Sequence, residues 1–166
     1  DAQEVRGLVD LGERYVILTS EGEWVMSADG AAAVDAFDIR QDGHNGSSDL
    51  RPVVANHTVL YNQDRGSHVL DLRYEAESVS YVGKDLTTFA SHLVDTHRLV
   101  SWAIANIPHS TVYAGREDGA LLLFTYIAEQ NIDAWTRADT RGTLATAEAA
   151  SADEFRWVST IPEGRV

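Results

Sequence analysis

His44, Ser47, Ser48 and Asp49 place the side-chain types of a serine-nucleophile system within six residues. Such chemistry needs a hydroxyl next to an imidazole base that a carboxylate orients. The members of such a triad normally come from separate elements, so that each is held rigidly. Here they share one stretch, Gly43-His44-Asn45-Gly46-Ser47-Ser48, whose composition is that of a loop. No Gly-x-Ser-x-Gly elbow accompanies them. The residues read better as a loop whose Ser and Asp side chains bond its own backbone.

Metal chemistry finds equally little support. The six histidines include His92 and His97, five apart, which misses the i, i+4 spacing of a helical zinc pair. His44, His57, His68 and His109 lie in separate segments without a shared ligand pattern. The absence of cysteine excludes disulfides and thiolate sites. Asp35, Asp38 and Asp42 do not follow the alternation of a calcium loop and read as a solvated acidic edge, which also discourages strand addition. Asn45-Gly46-Ser47 and Asn56-His57-Thr58 match the glycosylation triplet, which carries no weight without a secretory signal. No catalytic residue, cofactor or metal is therefore expected.

The elements that would carry these residues repeat. A short apolar strand, a polar turn ending in glycine and a second apolar strand recur three times. The copies are Tyr15–Leu18 with Glu23–Met26, Thr58–Tyr61 with His68–Leu72, and Thr111–Ala114 with Leu121–Phe124. The turn glycines Gly22, Gly66 and Gly119 are spaced 44 and 53 residues apart. Each copy predicts a β-hairpin in which glycine supplies a left-handed turn. Flanking strands are expected at Val5–Leu11, Phe37–Arg40, Leu99–Ala105 and Ile132–Thr136. Four strands at a period of about 45 residues is the pattern of a propeller blade. The continuous apolar runs Tyr15–Leu18 and Leu121–Phe124 suit strands covered on both faces. Trp24, Trp102, Trp135 and Trp157 all fall in strand candidates and read as core, with an interface anchor as the other use.

One amphipathic helix is expected from Asp85 to about Asp95. Asp85 serves as N-cap, and Leu86, Phe89, Ala90, Leu93 and Val94 form one stripe that should pack on sheet. The alanine-rich stretch from Thr143 to Asp153 is either a helical insert or a poor strand. The fold class that results is mainly β, with propeller-like antiparallel units, about three blades, and one short helix.

Composition sets the outer limits. The chain has 166 residues and 18.2 kDa, 44% of them apolar and 23% charged, as in a packed globular protein. This length suits a single β domain over 1–166, or an internal portion of a larger propeller-like protein, since closed propellers use roughly 4 to 8 blades. Asp1 at the start, with no charged-then-apolar leader, is compatible with a processed chain or an excised fragment. No apolar run approaches the roughly 18 residues of a membrane span. The net charge is −13, with a single lysine, Lys84, and twelve scattered arginines. That excludes a protein that coats nucleic acid, which needs clustered cations, but not a wall past which DNA slides.

Three blocks together carry a family resemblance. The first is Gly46-Ser47-Ser48-Asp49-Leu50-Arg51-Pro52-Val53. The second runs from Arg73-Tyr74 through Asp85-Leu86-Thr87-Thr88-Phe89-Ala90-Ser91-His92-Leu93. The third joins Trp102-Ala103, Pro108-His109-Ser110, Arg116-Glu117-Asp118-Gly119, Leu122–Tyr126, Glu129-Gln130 and Ala134-Trp135. With Leu18–Trp24, they make the chain resemble the tail hub, or nozzle, proteins of short-tailed bacteriophages and related prophages, from about Val5 to Gly164. The stretch from Thr143 to Phe155 departs from the family pattern, and Ala138 follows Arg137 where a basic or aromatic residue is usual.

The resemblance implies a structural virion protein that forms a sixfold ring with its own copies. The ring would contact an adaptor, fibres or a needle, and the genome would pass through it without specific binding. It implies no enzymatic residues. Within this reading His44, Gly46, Ser47, Ser48, Asp49 and Arg51 are candidates for contact with a neighbouring subunit or tail component. Two alternatives stand beside it: a stand-alone β-propeller that binds a protein, and, last, a propeller-type hydrolase. Nothing places Asp, Glu or His at equivalent points of the three repeats, which counts against the hydrolase.

Overall fold

The structure, a computed structural model, describes residues 3–12, 14–28, 37–65, 67–75, 80–107, 109–127, 130, 132–138, 143–145, 150–152 and 154–161. The chain divides into two compact units, 1–91 and 92–166. It is mainly β, with three four-stranded antiparallel sheets and one two-stranded hairpin.

Unit 1 contains two of these sheets. The first runs β1 (Val5–Asp10), β2 (Arg14–Thr19), β3 (Glu23–Ala28) and β4 (Phe37–Gly43), each strand paired with the next. The second runs β5 (Val53–Ala55), β6 (Thr58–Asn62), β7 (Val69–Glu75) and β8 (Ser80–Asp85) in the same order. All four flanking strands expected from the sequence form, within a few residues of their expected ends. Register places Val9, Val16 and Val25 in one row across the first sheet. This row, with Leu18, packs against Val59, Tyr61, Leu70, Leu72 and Tyr81 of the second sheet in one buried cluster. Each fully buried Val or Leu there stabilises by about 1.5–3 kcal/mol. Strand β6 is buried over its whole length, which explains its unbroken Thr-Val-Leu-Tyr-Asn run.

The sheets are also tied at their ends. Arg14 of β2 sits 4.1 Å above the Tyr74 ring of β7, and Tyr74 meets Tyr81 edge-on at 5.5 Å. Asp42 of β4 accepts the Tyr81 amide of β8 at 2.9 Å and holds the Arg40 guanidinium at 2.6 Å. Asp42 is therefore a buried link between two sheet edges and not part of a solvated acidic edge. Asp38 is exposed as expected, and Asp35 lies outside the described residues.

In unit 2 the strands β9 (Leu99–Ala105), β10 (Thr111–Arg116), β11 (Leu121–Ile127) and β12 (Ile132–Ala138) form the third meander. Val112, Ala114, Leu122, Phe124 and Tyr126 make its buried face, and Trp135 stacks on Phe124 at 4.4 Å. The stretch left open between helix and strand forms β13 (Thr143–Ala145) paired with β14 (Ala150–Ala152). After it, residues 154–161 run extended along the sheet. The Phe155 amide donates to the Gly119 carbonyl at 2.9 Å, and the Thr160 hydroxyl to the Ile104 carbonyl at 2.7 Å. Trp157 projects from this segment 84% exposed, so it is neither in a strand nor in the core.

The three hairpins close alike. The Thr19 amide donates to the Gly22 carbonyl, Gln63 to His68 and Arg116 to Ala120, at 2.8 to 2.9 Å. Glycine serves two different ends in them. Gly119 is left-handed, at φ +81. Gly22 is not; a Cβ there would lie 2.5 Å from both Gln41 Nε2 and the Gly43 carbonyl, so close approach is what requires glycine. Gly66 lies outside the described residues.

The expected helix is absent. Strand β8 takes Asp85, and a turn leads to a single 3-10 turn, Ser91–Leu93. Leu86, Ala90 and Val94 are buried, but Phe89 is 98% exposed. Asp85 does bond the Thr87 amide, at 2.7 Å, as an N-cap would. The segment left after β8 has too few residues to offset helix nucleation, and Thr87 and Thr88 are poor helix formers.

Candidate functional site

The Gly43–Arg51 stretch leaves β4 and must reach β5 across the turn ends of both sheets of unit 1. It does so by borrowing backbone groups from each. The Ser47 amide donates to the Thr19 carbonyl of β2, and the Ser48 amide to the Asn62 carbonyl of β6, both at 2.8 Å. Ser47 also bridges to Gln63. Gly46 has φ +70, and a Cβ on it would press into the Ser20 carbonyl. Asp49 pairs with Arg6 of β1, which also holds Glu4 at 2.9 Å.

This geometry sorts the six candidate contact residues. Gly46 and Ser47 are buried, and Ser48 is half-buried, all within unit 1. His44, Asp49 and Arg51 face outward. The serine-nucleophile arrangement does not assemble. His44 Nδ1 meets Gln41 Nε2 at 3.0 Å, and the Ser47 hydroxyl donates to the Ser48 carbonyl at 3.2 Å. The Ser47 and Ser48 side chains bond the loop's own backbone, as its composition suggests, whereas Asp49 pairs with Arg6 instead.

Beneath the loop lies a polar centre that the sequence does not announce. Glu23, the first residue of β3, is 1% exposed. The Tyr61 hydroxyl donates to Glu23 Oε1 at 2.7 Å, and the Asn45 amide approaches Oε2 at 3.4 Å. Burial, then the adjacent Glu23 carboxylate, raise the Tyr61 hydroxyl above the ordinary tyrosine range. That hydroxyl therefore stays protonated and serves as a fixed donor. A carboxylate buried between two sheets needs such donors to offset its lost hydration.

Two further clusters hold turns. His68 Nδ1 lies 2.8 Å from Asp85 Oδ2, while the Thr87 hydroxyl donates to Asp85 Oδ1 at 2.6 Å. Burial raises the Asp85 carboxyl, but the Thr87 hydroxyl, the Thr87 amide and His68 outweigh it and leave the group below its ordinary value. The Asp-x-Thr spacing is the one local signal for this cluster. The trio has the residue types of a nucleophile, base and orienter, but Thr87 is fully buried and its proton is committed to Asp85. In unit 2, Arg116 forks onto Asp118 and donates to the Leu93 carbonyl at 2.7 Å. The bond from Arg116 lowers the Asp118 carboxyl to about 2.

Unit 2 also contains a groove of about 480 Å³ between residues 154–157 and the β9 and β10–β11 region. Val100, Glu117, Phe155 and Trp157 are among its lining. Among the described residues, no three His, Asp or Glu side chains gather where a metal ion could sit. No helix among them is long and apolar enough to cross a membrane. No protein-family model matches the chain, and no curated protein matches it.

Proposed function

We propose that this chain is a structural component of a phage tail hub, built from blade-like sheets, and that it works by assembly with its own copies and with other tail parts. The observation that carries the reading is the coincidence between the resembling blocks and the elements that organise the fold. Gly46–Val53 is the strap that ties β2 to β6. The second block spans β7, β8 and the turn that leaves them. The third spans β9 to β12. The segments that resemble the family are thus sheets and their fastenings, which is where a structural protein needs specific residues.

Three successive sheets of order 1-2-3-4 suit blades of a propeller-like body. In this reading His44, Asp49 and Arg51 form the outward side of the strap and meet a neighbouring subunit. A rim pair alone contributes about 0 to 1 kcal/mol, and losing one partner of a buried pair costs far more. Arg51→Glu should therefore block particle assembly while the isolated chain stays folded. Infectious tails from Arg51→Glu would remove the strap from the interface. Electron microscopy of the purified assembly should show a ring, and hydrolytic activity in the pure protein would overturn the structural reading. The groove beside Trp157 favours one other reading, a β-propeller that binds a protein ligand. A monomer that retains a ligand through Trp157 would support it.

A further inference from the structure

The face of the first sheet that points away from the second is built like a core. Register across β1 to β4 sets Leu8, Ile17, Trp24 and Gln41 in one row, and Asp10, Tyr15, Met26 and Ile39 in the next. Phe37 continues the pattern on β4. Cross-strand partners share a face, so seven of these nine side chains are apolar and lie together. Leu8, Phe37 and Ile39 are 63%, 53% and 54% exposed. A sheet that faces water on one side normally alternates apolar and polar residues. This one is apolar on both sides.

We propose that this face is a self-association surface, covered by the same face of a second copy of this chain. The charge distribution selects a second copy. A chain with net charge −13 repels its copies over much of its surface. Among the described residues this face has a single charged side chain, Asp10, at one corner, so two copies can meet here with little like-charge contact. The known solution within unit 1 is of the same kind, sheet against sheet through rows of apolar side chains. Size sets the strength. Four strands about 4.8 Å apart and two rows of about 6.8 Å each cover on the order of 260 Å² per copy. That is below the roughly 800 Å² per partner of a standard stable complex, so the pair is weak and dissociates on dilution. This contact does not depend on the tail reading, since a ring can be built on other faces.

Sedimentation velocity of the purified chain tests it, at low and high micromolar concentration, in low and in half-molar salt. The mass should rise toward twice the monomer with concentration. Salt should strengthen the association, because screening removes the repulsion between acidic copies. Ile39→Asp on β4 should abolish it, and Ile107→Asp, on an exposed residue of unit 2, should leave it unchanged. If Ile39→Asp does not fold, Leu8→Ser on the opposite edge strand decides in its place. A monomer at every concentration overturns the proposal. So does an association that weakens with salt, or one that survives the deciding variant. Each of these failures leaves the ring reading to its own microscopy.

Discussion

Removing the Tyr61 hydroxyl takes the closest donor from a carboxylate with almost no access to water. Tyr61→Phe should cost about 1–3 kcal/mol in urea unfolding, the penalty for an unsatisfied buried acceptor. Glu23→Gln should cost less, because its amide oxygen still accepts from Tyr61. Equal losses in the two variants would mean that shape, not the donor, holds the centre. The two residues are 38 positions apart, in different copies of the hairpin and at non-equivalent places in it, so nothing in the sequence pairs them. The phenylalanines make the opposite case. Periodicity alone assigns Phe89 to a buried stripe, whereas it stands in water. Phe89→Ala should change stability by less than about 0.5 kcal/mol. Phe124→Ala, fully buried and stacked on Trp135, should cost about 3–5 kcal/mol. Thermal melts of the two variants check the contrast.

At the scale of elements, strands were legible because β-branched and aromatic runs were bounded by turn residues. The third sheet and the flanks of the first could be read almost strand by strand. The helix failed because its stripe is also what a turn needs when it buries Leu86, Ala90 and Val94 in passing. The strap's ties to the two sheets were not legible because its partners, the carbonyls of Thr19 and Asn62, are backbone groups that no side-chain pattern reports. The Arg116–Asp118 turn gives the acid prediction. Asp118 is held near 2 in the folded state, chiefly by Arg116, against about 3.9 when unfolded. Its contribution is present above the unfolded value and is lost as pH falls from about 4 toward 2. Acid unfolding followed by circular dichroism should show Asp118→Asn less stable at neutral pH and less sensitive across that window. The same turn requires Gly119 twice, for its φ and because Glu154 lies where a Cβ would stand. Gly119→Ala should cost more than about 1 kcal/mol in urea unfolding.

For the molecule as a whole, the charge argument concerns DNA. Net charge alone leaves room for a local basic track, so the test is where the cations go. Arg6 is held by Asp49 and Glu4, Arg40 by Asp42, and Arg116 by Asp118. Arg156 faces Glu154 at 3.6 Å, and Arg14 covers the Tyr74 ring. Arg73 also faces Asp71 at 3.9 Å, so cations of both units are engaged within the fold, in a chain with twice as many carboxylates as cations. A track that binds duplex needs several free Lys or Arg in line, each releasing counterions from a phosphate. The chain should accordingly leave duplex DNA unshifted in a native gel at low salt, where such binding is strongest. A shift that fades with salt at a slope of several phosphate contacts would reveal a basic track and overturn the view that DNA passes this chain without being held.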